Sequence, residues 1–140
     1  MRSVFLNSFI FLMIILLSSC QNRPVSLLSK KWDCVKIENI DSGGSRFLSP
    51  QDSLNKIQLQ AVLETLNWTF YENMEYECAV GGNITTRGTY ELMDNARTLV
   101  CTPETKNSVN RYIITSLTEY DLVLTGMANN KPVILHFKPR

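Results

Sequence analysis

The sequence predicts a mainly β fold, an eight-stranded antiparallel up-and-down barrel with one helix between strands 1 and 2. Three observations carry this reading. From Leu66 to Lys138, short runs rich in β-branched and aromatic residues alternate apolar with polar side chains, the period of a half-buried strand. Turn-forming residues separate the runs at short intervals, so successive strands join as hairpins. Eight such strands suffice for closure, which removes both sheet edges and leaves an interior that side chains fill or one small ligand occupies.

The chain begins with a positive residue, Arg2, and an apolar run from Val4 to Leu17 broken only by Asn7 and Ser8. Ser18 and Ser19 then lead into Cys20. A membrane-spanning helix wants about 20 apolar residues, and this run is shorter and ends in polar serines. It reads instead as the apolar segment of an export signal, residues 1–19. Leu17-Ser18-Ser19-Cys20 resembles the lipobox of bacterial lipoproteins. That resemblance implies cleavage before Cys20, a diacylglyceryl thioether on its sulfur, and attachment to a membrane through those acyl chains. Gln21, rather than Asp, after the cysteine favours the outer membrane by the same resemblance, and no acidic run follows to mark export to the cell surface. The periplasmic face is expected.

Removing 19 residues from 140 leaves 121, enough for one domain. Of 14 basic and 13 acidic residues only Arg2 is lost, so the mature chain is balanced and gives no electrostatic case for nucleic acid. Asn67-Trp68-Thr69 and Asn83-Ile84-Thr85 fit the N-glycosylation pattern by chance, since that machinery rarely meets a bacterial lipoprotein. Residues 20–30 are polar and aperiodic, with Pro24, and read as a lipidated tether that lets the barrel domain, residues 31–140, stand off the membrane.

The first strand starts at Lys31-Trp32 and continues through Ile40. Val35 and Ile37 alternate with Trp32 and are expected to pack under the helix. Asp41–Ser45 is loop by composition. Ser49-Pro50-Gln51-Asp52 is a helix start, with a capping serine and a proline in the first turn, and the helix should end near Glu64. Its apolar residues form two stripes, Leu54, Ile57 and Ala61 beside Leu59, Val62 and Leu63. So wide an arc means burial on two sides or an earlier start to the next strand. Leu66–Tyr71 and Met74–Val80 flank a two-residue turn at Glu72-Asn73. Thr86–Met93 and Ala96–Thr102 flank Asp94-Asn95. Val109–Leu117, Tyr120–Met127 and Pro132–Lys138 complete the set.

Trp32 after Lys31, Leu66–Asn73, Gly88-Thr89-Tyr90-Glu91-Leu92 and Tyr112–Glu119 with Leu122–Leu124 together resemble the lipocalin-like domains of small bacterial lipoproteins. The first strand lacks the glycine that precedes the tryptophan in lipocalins proper, and only Arg140 sits where their arginine crosses it. The resemblance implies a barrel and the binding of small apolar molecules, and no reaction.

A ligand inside the barrel would meet Met74, Tyr76, Tyr90, Leu92, Leu124 and Leu135, which alternation turns inward, together with Trp32, Trp68 and Tyr112 as further rings able to line a cavity. Cys78, Val80, Leu99, Cys101, Leu122, Val133 and Phe137 should join them. The same rings equally well fill a barrel too narrow for any ligand. No Gly-rich phosphate loop, nucleophile elbow or histidine pair is present, so no catalytic, cofactor or metal site is expected. His136 alternates with inward residues and points out, and Glu72, Glu75 and Glu77 read as a solvated strand face rather than a cation site. Beyond Cys20 an odd set of thiols remains, Cys34, Cys78 and Cys101. The expected register puts Cys101 and Cys78 each opposite Gly88, two strands or about 9–10 Å apart, beyond disulfide reach. Three buried apolar cysteines, or one pair and a free thiol, remain open. The expected function is a carrier of a small apolar ligand; the alternative is a filled barrel that presents its surface to a protein, as lysozyme-inhibitor lipoproteins do, although the serine- and glycine-rich loop motif of those inhibitors is absent from this chain.

Overall fold

The computed structural model describes residues 23–39, 58, 61–105, 107–128 and 130–140. Eight strands, β1 (Lys31–Glu38), β2 (Asn67–Phe70), β3 (Glu75–Val80), β4 (Asn83–Met93), β5 (Thr98–Pro103), β6 (Asn110–Leu117), β7 (Leu122–Ala128) and β8 (Lys131–Pro139), close into an antiparallel barrel in sequence order. The β1–β8 pair shuts it, with Cys34 opposite Phe137 and the Arg140 amide donating to the Lys31 carbonyl at 3.0 Å. The connection from β1 to β2 ends in helical residues at 58 and 61–63, where the sequence places the end of its helix. The expected signal segment, Cys20 and most of the expected helix lie outside the described residues.

One element departs from expectation at the start. Residues Arg23–Leu28, read as tether, form a short helix, α1. Proline fits its first turn, where no intrahelical donor is needed, and Leu28 then enters the core with no exposed surface. The Trp32 indole N–H donates to the Leu28 carbonyl at 2.9 Å, alongside the Lys30 amide at 2.8 Å, and so ties the end of α1 to β1. The folded part therefore begins at least at Arg23.

The turns explain where register differs. Met93 pairs with Thr98, so the β4–β5 loop has four residues, with Asp94, Asn95 and Ala96 in the left-handed region. Tyr90, not Gly88, consequently faces Cys101, and Thr86, not Gly88, faces Cys78. The thiols still lie on β3 and β5, separated by β4, and Cys34, Cys78 and Cys101 are all free. Between β2 and β3 the loop is Glu72-Asn73-Met74, with the Tyr71 amide bonded to the Glu75 carbonyl. Met74 closes it at φ 68 and is exposed, so it belongs to the turn and not to the interior. Gly81 and Gly82, at φ 60 and 81, make the tight β3–β4 turn.

Bulges account for the remaining exceptions. A register shift between Cys34 and Lys36 leaves Val35 outside, 53% exposed, and returns Ile37 to the inner face against the core. Another between Cys78 and Ala79 buries Ala79 and leaves Val80 half-buried. At Gly88 the strands approach so closely that a Cβ would sit 2.1 Å from the Thr102 carbonyl oxygen, which explains the glycine there.

Candidate functional site

The barrel interior is an aromatic cluster centred on Trp68. Its ring lies 5.3 Å from Tyr112 edge-on, 5.8 Å from both Phe70 and Phe137, and 6.2 Å from Tyr76. Phe70 in turn meets Tyr90 at 5.1 Å, near perpendicular. These are the separations at which ring edges and faces attract, so the rings satisfy one another. Of the inward residues expected, Trp32, Tyr76, Tyr90 and Leu124 are buried, together with Leu99, Cys101, Leu122 and Phe137. Leu92, Tyr112 and Leu135 are half-buried and pack against them. Trp68, expected among the lining rings, is buried as well, and Phe70 was legible too, since the two flank Thr69 on a four-residue strand.

The titratable groups inside are held neutral. Burial pushes the Cys34 thiol up to about 11 and the Cys101 thiol to about 12. Burial, with Cys101 and Cys78 close by, raises the Tyr112 phenol to about 12. Tyr76 is raised for the same reasons, burial first. Cys78 is also raised by burial, against weaker lowering by Thr85 and by the Trp68 indole across the β2–β3 pair. The Trp68 N–H nevertheless has no hydrogen-bond partner of ordinary geometry. Thiols so far above neutral pH are packing groups, not nucleophiles.

At one mouth, α1 lies across the β4–β5 loop and leaves an open cleft on each flank. One, of about 550 Å³, is lined by Pro24, Val25, Met74, Tyr90, Glu91, Leu92, Asn95 and Ala96. The other, of about 360 Å³, lies among Arg23, Pro24, Leu27, Ala96 and Ile114–Leu117. The larger cleft gathers Met74, Tyr90 and Leu92 of the expected ligand set, of which Tyr90 is also part of the buried core and Leu92 packs against it. The helix residues that complete it were missed, because Pro24 and the lack of periodicity concealed so short a helix. The Tyr90 hydroxyl is committed to the Tyr71 carbonyl at 2.8 Å.

The outer face holds ordinary surface pairs. Glu77 bonds Arg87 at 2.9 Å directly across β3–β4, and Asn73 donates to Glu75 at 2.8 Å. His136 faces outward, 3.1 Å from Glu38, with Nε2 poorly aligned for a hydrogen bond, so the two form a charge pair only when the imidazole is protonated. Among the described residues no group of His, Cys, Asp or Glu side chains is placed to hold a metal ion.

No protein-family model matches the chain, and no curated protein matches it either. Among solved structures it is similar to a DUF4847 family protein from Bacteroides vulgatus ATCC 8482. The TM-score is 0.51 at 14% identity, over 80% of this chain and 93% of that one. The likeness is one of fold.

Proposed function

We propose that this chain is a lipid-anchored envelope lipoprotein, attached through Cys20 on the periplasmic side of the outer membrane, that acts by binding rather than catalysis. Its barrel serves as a filled scaffold presenting surface to a protein partner. The observation that carries the reading is the cluster around Trp68, whose four ring neighbours lie within 6.2 Å. A ligand in the interior would have to displace those rings. Native mass spectrometry of protein purified from its own host tests this. The expected species are the lipidated chain and its protein complex, without a stoichiometric small-molecule adduct. An adduct whose retention falls in Tyr76→Ala returns the function to carriage inside the barrel.

The cleft of about 550 Å³ favours a second reading, a small apolar ligand at the mouth. Its volume lies in the range of small-molecule sites, about 300–1,000 Å³. Saturable binding of a fluorescent fatty acid, weakened by Leu92→Ala and unaffected by Tyr76→Ala, would select it.

The anchor has its own test. Cys20→Ala should abolish metabolic fatty-acid labelling and release the protein from membranes, since stable anchoring needs two or more chains and all are placed on or beside this residue.

A further inference from the structure

We infer that the α1-covered mouth of the barrel is a membrane-docking face, seated on the phospholipid surface that holds the anchor. The inference rests on the lipidation of Cys20 proposed above. Cys20 and Arg23 are three residues apart, and a chain spans at most about 3.6 Å per residue, so the first residue of α1 lies within about 11 Å of the acylated cysteine. The helix is itself fixed to the barrel, through buried Leu28 and the Trp32–Leu28 hydrogen bond. A standoff tether of residues 20–30 is therefore not available, and the mouth under α1 is brought to the bilayer.

The loops around that mouth carry the side chains a headgroup region accepts. The Lys30 carbonyl accepts from the Phe70 amide, and the Lys30 ammonium reaches the Glu119 carbonyl at 3.4 Å. These contacts place the 71–74 and 118–121 loops beside the end of α1. Tyr120 is 70% exposed at the tip of the second loop, and Tyr71, Met74 and Met93 are also exposed on this rim. Tyr120 is presented by a built turn, in which the amides of Tyr120 and Asp121 both donate to the Thr118 hydroxyl, at 3.2 and 3.0 Å. Tyrosine and methionine offer an apolar body to the acyl boundary, and the phenol keeps a wet end. Arg23, Lys30 and Arg97 stand nearby, but Glu72, Asp94 and Glu119 are interspersed, and both mouths expose apolar side chains, so the short reach from Cys20 selects this mouth rather than charge. The opposite mouth, with Gly81-Gly82 and with Ile84, Val109 and Met127 also exposed, then faces away from the membrane.

The test uses the full lipidated chain, purified from its host and reconstituted into phosphatidylcholine–phosphatidylglycerol vesicles with brominated acyl chains. Tyr120→Trp and Val109→Trp each add one exposed tryptophan, read against the unsubstituted protein. Loss of the added emission at position 120 but not at 109 is the expected result. Quenching at 109 instead, or at neither position while the protein still carries fatty-acid label and sediments with vesicles, overturns the docking face and leaves the anchor standing. Absence of the label overturns lipidation and removes the docking face with it.

Discussion

Trp68 concentrates the residue-scale consequences. Removing its ring leaves a cavity among four aromatic neighbours that the closed barrel has little freedom to fill, so Trp68→Ala should cost about 3–5 kcal/mol by denaturant unfolding. Trp68→Phe should cost less than about 2 kcal/mol, because it also deletes a buried donor that has no acceptor. The buried thiols give a pH signature of known sign. An unfolded cysteine titrates near 9.0, whereas Cys34 and Cys101 hold their protons to about 11 and about 12. Above the unfolded value the unfolded chain binds fewer protons than the native one, so stability falls as pH rises. The contribution of these groups should be constant below about pH 9, fall from there through the folded values, and fall further above about 10 as Tyr112 contributes. Denaturant midpoints measured across that range check it, and a midpoint that rises with pH would contradict the burial of these groups. Alternation alone identified most of this interior, because Tyr76, Tyr90, Leu99, Cys101, Leu122 and Phe137 lie in regular stretches of strand. It failed at Met74, where a left-handed residue closing a three-residue loop has no side-chain signature that distinguishes it from the first residue of a strand.

At the scale of elements, what escaped the sequence was a bulge within a strand, a loop longer than its turn residues suggest, and a helix too short to show a repeat. The bulge after Cys34 reverses parity, which is why Val35 and Ile37 look equivalent in sequence yet only Ile37 packs inside. The β4–β5 loop holds four residues where two were expected, and this alone moves Cys101 from Gly88 to Tyr90. The short α1 has no amphipathic repeat to display, and its evidence is tertiary, in Leu28 and the indole that pairs its carbonyl. Leu28→Ala should therefore destabilise by about 2–5 kcal/mol although it sits in a stretch that reads as linker. The glycines separate two kinds of closeness. At Gly88 an added Cβ meets backbone, 2.1 Å from the Thr102 oxygen, and Gly88→Ala should break the β4–β5 ladder or cost more than about 4 kcal/mol. At Gly126 the obstacle is the Tyr112 ring at 2.9 Å, a side chain able to shift, so Gly126→Ala should cost only about 1–3 kcal/mol. Urea unfolding of the two variants ranks them, and equal losses would mean that Tyr112 is as immovable as the backbone.

For the whole molecule, closure is the property that individual strands do not reveal. An open eight-stranded meander would leave β1 and β8 as edges, with unpaired amides and carbonyls along each. Here they pair from Trp32 opposite Pro139 to Glu38 opposite Ile134, with Arg140 bonded through its guanidinium to Asp33 at 2.9 Å. Every strand thus has two neighbours, and none is left with an unpaired edge. Local unfolding should then be suppressed at the two strands that sequence order would place at the edges. Native-state hydrogen exchange makes this measurable, because edge amides of an open sheet exchange through cheap local opening and core amides only through global unfolding. The amides of Asp33 on β1, opposite Lys138 on the β8 side, and Tyr76 on β3 should show protection free energies that agree with each other and with the global value. Deleting residues 137–140 removes Phe137 from the core and the closing pairs with it. The shortened chain should lose protection first along β1, and its global stability should drop by at least the roughly 3–5 kcal/mol of a lost buried aromatic. Should the β1 amides of the intact protein already exchange several kcal/mol more easily than those of β3, the barrel is open in solution at the β1–β8 seam.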